Sequence, residues 1–215
     1  MKEILSIFSF NGDDYDRVKK DAWIENWHGL RFFSCIAIIA FGVMAVVSMF
    51  SSSIGRNLLL YVVYGLVSLV FFGVSHCKMD SVRVKELFVY SFFIVLLSFG
   101  IVMGTIIAPE DLTVSYIVLM IAVPLLFTAR ACVINGLILF SIIIYIVLAY
   151  FTQDDLTFTY NLLDVIPYGI LSMFVTAAIM RNKLQRILYQ NEVESLEKME
   201  RETQERISKP ELFIQ

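Results

Sequence analysis

From Ile170 to Lys209 the chain contains neither glycine nor proline, and within that stretch an apolar run gives way to a charged one. Nothing local therefore stops a helix that begins in an apolar medium from continuing into water. A helix from Leu162 to Ile207 would be roughly 69 Å long, more than twice a hydrocarbon core of about 30 Å. The surplus must stand in the aqueous phase, so the sequence predicts one rod joining two compartments.

Composition names the apolar medium. A chain of 215 residues that is 58% hydrophobic, with mean hydropathy +0.75, carries more apolar surface than a soluble domain of its size can bury. The expected fold is all-α and polytopic, with six transmembrane helices at 32–51, 57–75, 87–107, 112–128, 131–151 and 162–180 and a cytoplasmic helical extension of the last. Each span is near the roughly 20 residues needed to cross, although the fourth is short and contains Pro124. With both termini inside, 16 of the 17 Lys and Arg residues lie on the inner side and only Arg56 lies outside. The sequence is therefore read as a multi-pass membrane protein with both termini cytoplasmic. Cys35, Cys77 and Cys132 then fall at or near the reducing face, and their odd number and spacing read as free thiols.

Four regions are expected: a cytoplasmic leader at 1–31, the six-span module at 32–180, a cytoplasmic signalling-type helix at 181–209 and a frayed end at 210–215. The apolar run Ile4–Phe10 is too short for a signal peptide and is read as part of a mature N-terminus. For Tyr15 to Leu30, with Trp23 and Trp27 four apart, two readings stay open: a helix lying along the headgroups, or a solvated leader anchored by its indoles. The outer connections hold Glu110-Asp111 and Asp154-Asp155, which read as solvated loop acids rather than a cation site.

Polar residues within the spans are spaced. Asp164, Tyr168, Ser172 and Thr176 follow one another by fours on span six and are expected to face the bundle, bordering any ligand pocket at their outer end. The competing reading makes Asp164 a flanking residue and the hydroxyls partners of neighbouring backbones. Tyr61, Tyr64, Ser68 and Ser75 on span two, Ser91, Ser98 and Thr105 on span three, and Asn135 on span five are read as interhelical packing, and Gly100 with Gly104 as a close helix contact.

Beyond Met180, Glu194 with Lys198, Glu197 with Arg201 and Glu202 with Arg206 stand in the favourable Glu-first order at i and i+4. Leu184, Leu188, Val193 and Leu196 mark the helix expected to transmit a signal. Tyr189, Val193, Leu196, Thr203 and Ile207 approximate a coiled-coil seam interrupted by Glu200, so a homodimer through this helix is expected alongside the lipid bilayer and a cytoplasmic output protein as partners.

No phosphate-binding loop, dinucleotide fingerprint, zinc-type cysteine cluster or basic-aromatic pattern for nucleic acid occurs, and His76-Cys77 has no partners for a metal. No catalytic, cofactor-binding or metal-binding residue is assigned, and catalysis by this chain alone is not expected. In order, Phe10-Asn11-Gly12-Asp13-Asp14, Gly104 to Leu112 (GTIIAPEDL), Val123 to Phe127 (VPLLF) and Met180 to Tyr189 (MRNKLQRILY) resemble the membrane-embedded N-terminal sensory region of bacterial, clostridial-type GGDEF diguanylate cyclases. The resemblance covers about residues 8–195. It implies an input module for cyclic-di-GMP signalling whose last span leads into a cytoplasmic cyclase domain; the opening segment of that domain is not found, and no catalytic residue carries over. The first expectation is thus a sensory or regulatory module acting through span six. The alternative is a small transporter or transporter accessory subunit, and a membrane enzyme comes third.

Overall fold

The computed structural model describes residues 12–50, 57–79, 81–109 and 113–208, with side chains between Val18 and Glu205. The run Ile4–Phe10, the connection holding Arg56, the Glu110-Asp111 pair, the Arg206 and Ile207 side chains and residues 210–215 lie outside the described residues. All described secondary structure is helical: α1 Gly12–Phe50, α2 Leu58–His76, α3 Val82–Val102 with a π-helical turn Met103–Ile107 at its end, α4 Val114–Leu126, α5 Ala131–Thr152 and α6 Asp155–Ser208. Within these, Val18–Phe50, Leu58–His76, Val82–Ile107, Ala131–Thr152 and Asp155–Glu205 are long and apolar enough to cross a membrane, whereas Val114–Leu126 is a shorter apolar helix. The chain is a membrane-compatible helical bundle.

Helix α1 packs along α2, α3 along α4 and α5 along α6, while α6 also touches α4 and α1. Between apolar helices in lipid there is little hydrophobic drive, so close approach and hydrogen bonds must hold the pairs. Gly100 and Gly104 provide the approach: a Cβ on Gly100 would lie 2.8 Å from the Tyr116 Cα, and one on Gly104 would lie 2.7 Å from the Thr113 Cγ2. Both glycines of the sequence pair thus seat the start of α4. The Tyr64 hydroxyl meets the Ser98 hydroxyl at 2.9 Å to join α2 to α3, and Asn135 Nδ2 donates to the Met173 carbonyl at 3.4 Å between α5 and α6. Aromatic contacts fall in two groups, one around Phe41 and Phe99, 4.9 Å apart, and another in which Phe127 meets both Phe33 and Phe92.

One helix runs through residue 31, and its buried residues Val18, Ala22, Trp23, Asn26, Trp27 and Leu30 continue the stripe of Ser34, Ala37 and Phe41 in the apolar part. Both indoles consequently turn into protein: Trp23 is fully buried edge-on to Tyr90, and Trp27 lies beside Phe88 with the Lys85 ammonium 5.9 Å from its ring.

Helix α6 is longer than the sequence expectation at its start. Asp154 accepts a hydrogen bond from the Thr157 amide at 3.2 Å through Oδ2, so this loop acid is the helix N-cap and α6 begins at once. Its 54 residues make roughly 81 Å of unbroken helix, with Pro167 inside.

Candidate functional site

The short α4 is the key to the site. Its helical 13 residues end at Leu126, and Phe127 turns to an extended backbone with φ −124° and ψ 155°. An ending of this kind leaves carbonyls and amides without helical partners, and buried groups cannot stay unpaired cheaply. Phe127, Thr128 and Ala129 are all buried. The partners come from the two long helices on either side. Asn26 of α1 grips Thr128 twice: its Nδ2 donates to the Thr128 carbonyl and its Oδ1 accepts from the Thr128 amide, each at 2.6 Å. From α6, Lys183 Nζ donates to the Leu125 carbonyl at 2.7 Å and lies 3.5 Å from the Phe127 carbonyl, and the Met180 sulfur accepts from the Ala129 amide at 3.4 Å. An ammonium at a helix C-terminus also complements the helix dipole.

Pro124 leaves a further gap one turn earlier. Without an amide hydrogen it cannot satisfy the Met120 carbonyl, four residues before it. The Ser172 hydroxyl of α6 donates to that carbonyl at 2.7 Å. Helix α4 and the extended stretch after it are therefore held by α6 at Met120, Leu125 and Ala129.

Just beyond this junction α1 and α6 touch directly. Val18 and Ala22 of α1 pack with Leu184 and Ile187 of α6, with Leu188 at the edge, and Asn191 Nδ2 donates to Asp21 Oδ2 at 3.0 Å. These side chains lie among charged residues, where burying each large aliphatic group from water contributes about 1.5–3 kcal/mol.

The opposite end of the bundle is fastened by another polar group. Asn161 Oδ1 of α6 accepts from the Thr113 amide at 3.1 Å, and Asn161 Nδ2 donates to Gln153 Oε1 at 3.2 Å. Gln153 Nε2 in turn donates to the Gly104 carbonyl at 2.9 Å, at the π-helical end of α3. The Thr113 and Tyr145 hydroxyls are hydrogen-bonded, and the Tyr145 ring stacks on Tyr116 at 4.9 Å with 5° between planes. Asn161 thus ties α6 to α4 directly and, through Gln153, to α3.

The span-six face is only half as expected. Ser172 and Thr176 are buried, but Tyr168 is 43% exposed and Asp164 is partly exposed. Steps of four overshoot a helical turn by about 40° each, so a strict four-residue pattern winds off the buried face. The buried line of α6 mixes threes and fours: Asn161, Val165, Gly169, Ser172, Thr176, Met180, Leu184 and Ile187. Of the expected transmission residues, Leu184 is buried and Leu188 partly so, whereas Val193 is partly exposed and Leu196 is 55% exposed. On the tail, Arg201 and Glu197 close their i and i+4 pair at 3.2 Å. Sequence reasoning missed Asn26 and Asn161, whose partners are backbone groups 102 and 48 residues away.

Among the described residues there is no group of three or more His, Cys, Asp or Glu side chains able to hold a metal ion, and Cys35, Cys77 and Cys132 are free thiols. Compared with known proteins, the chain matches no family model, no curated protein and no solved structure.

Proposed function

We propose that the chain is a six-span sensory or regulatory module of a bacterial cytoplasmic membrane, with both termini in the cytoplasm, that signals by displacing or rotating α6. The carrying observation is that a single helix is bonded at one end through Asn161, in the middle through Ser172, and at the α4 terminus through Met180 and Lys183, then continues past the bundle to Ser208. A rearrangement around Asn161 would thus be delivered to the tail as movement of one body, given two packing states of different ligand affinity.

The fourth crossing in this reading uses α4 together with the extended stretch 127–130. Non-helical backbone is tolerated at membrane depth only where protein satisfies it, which is the service Asn26, Met180 and Lys183 perform. The tail presents Tyr189, Val193 and Leu196 on its exposed surface to a second copy or to an output protein, in keeping with the resemblance to cyclic-di-GMP signalling.

The test fuses a diguanylate cyclase catalytic domain after Ser208 and inserts one to four alanines between Tyr189 and Leu196. Cyclic-di-GMP output is expected to vary with helical phase, returning towards the starting level near four, and Gln190→Pro should uncouple it. Output indifferent to both changes would refute transmission through α6.

A further inference from the structure

Two clefts lie next to each other on the flank of α1. One, of about 400 Å³, is walled by Glu25, His28, Phe32, Thr128 and Lys183; the other, of about 430 Å³, runs past Ile36, Ala37, Ala40 and Met44 towards Leu119. Phe33 and Leu126 line both, so the clefts adjoin, and together they make a groove with charged walls at one end and apolar walls along the other. From Phe33 to Met44 the helix advances roughly 16 Å, close to the roughly 15 Å of one leaflet's hydrocarbon. The charged end lies at the level of α1 where Asp21, Glu25 and His28 are exposed, and the apolar end lies among the exposed Ile36, Ile39 and Val43. The groove has the polarity, direction and length of one phospholipid in one leaflet.

Charge selects the headgroup. Lys183 alone would attract any anion, including a fatty-acid carboxylate, but Glu25 stands in the same wall and disfavours a headgroup that is only negative. Lys183 donates to the Leu125 carbonyl and lines the same cleft as Glu25, whose carboxylate adds an acceptor to that wall. A primary ammonium can donate to that carboxylate, which a quaternary one cannot. We propose that this groove is a binding site for a single phosphoethanolamine glycerophospholipid, its phosphate at Lys183, its ammonium at Glu25, and an acyl chain along Phe33 to Met44. The site bridges α1, α4 and α6, and it stands independently of the signalling reading.

Native mass spectrometry of the full chain, released from vesicles of equimolar phosphatidylethanolamine, phosphatidylcholine and phosphatidylglycerol with added palmitate, tests the site. One phosphatidylethanolamine should be retained about tenfold over each competitor, the scale of one charge-assisted hydrogen bond. Ala40→Trp, at an exposed position of the groove, should abolish that retention, and Glu25→Gln should remove the preference over phosphatidylglycerol, with helical content by circular dichroism unchanged in both. Equal retention of all four lipids, preference for palmitate, phosphatidylglycerol or phosphatidylcholine, undiminished retention in Ala40→Trp, or a lipid-free dimer covering the groove would each overturn the assignment.

Discussion

Asn26 and Thr128 are 102 residues apart in sequence, yet the Asn26 amide takes both backbone polar groups of Thr128, each at 2.6 Å. That pairing lets α4 end inside protein, and it sets α1 against the same turn that α6 grips through Met180 and Lys183.

Replacing Asn26 with alanine should leave a buried amide and a buried carbonyl unpaired and destabilise the bundle by about 2–4 kcal/mol. Asn26→Asp keeps the acceptor for the Thr128 amide and loses the donor, so an intermediate loss is expected. Denaturation in micelles would measure both, and faster hydrogen exchange at the Thr128 amide would localise the effect. Equal stability of Asn26→Ala and the parent would show that the pairing contributes nothing.

Ser172 answers a gap made by Pro124, and the two positions should therefore be coupled. Ser172→Ala alone is expected to cost about 1–3 kcal/mol by leaving the Met120 carbonyl bare. In a Pro124→Ala background residue 124 supplies its own amide, so the same change should cost much less. A double-mutant cycle with no coupling energy would reject this explanation of the Ser172 hydrogen bond.

Hydrogen bonds from the Thr157 side chain and the Thr157 amide hold the Asp154 carboxyl below the usual carboxylate range. Because the folded form has the lower pKa, the cap's contribution is present above the unfolded value of about 3.9 and is lost as pH falls through the depressed folded value. Exchange at the Thr157 amide should accelerate over that acid window. In Asp154→Asn, which keeps an acceptor but does not titrate there, the acceleration should be absent; its persistence would assign the effect to another group.

The sidedness of the proposed module has its own test. In a background without Cys35, Cys77 and Cys132, an impermeant thiol reagent added to intact cells should label Asp155→Cys and should reach Tyr189→Cys only after permeabilisation. The opposite pattern would invert the topology.

The length of α6 was legible because helix breakers are missing from 170–209, and local sequence decides continuity. The shortness of α4 was half legible: Pro124 and the brevity of the fourth span were visible, but the turn at Phe127 depends on Asn26, Met180 and Lys183 waiting on other helices. Asn161 escaped notice for the same reason, since spacing along one helix cannot show a bond to the amide of Thr113. An indole suits the headgroup layer, and spacing along α1 cannot show that the Trp23 ring is buried against Tyr90 of another helix. Steps of four place Asp164, Tyr168, Ser172 and Thr176 on a drifting face, and spacing along one helix does not show where that drift leaves the buried line, as it does at Tyr168.

The most direct test of coupling along α6 disturbs one end and reads the other. Asn161→Ala removes the bond to the Thr113 amide, and residue 190 lies roughly 44 Å further along the helix. Spin labels at Lys20→Cys and Gln190→Cys, in the cysteine-free background, would report the separation of α1 and α6 by pulsed electron resonance. Asn161→Ala should shift or broaden that distance distribution while exchange at the Thr113 amide rises. A faster Thr113 amide with an unchanged Lys20–Gln190 distribution would contradict the claim that α6 conveys events at Asn161 to the tail.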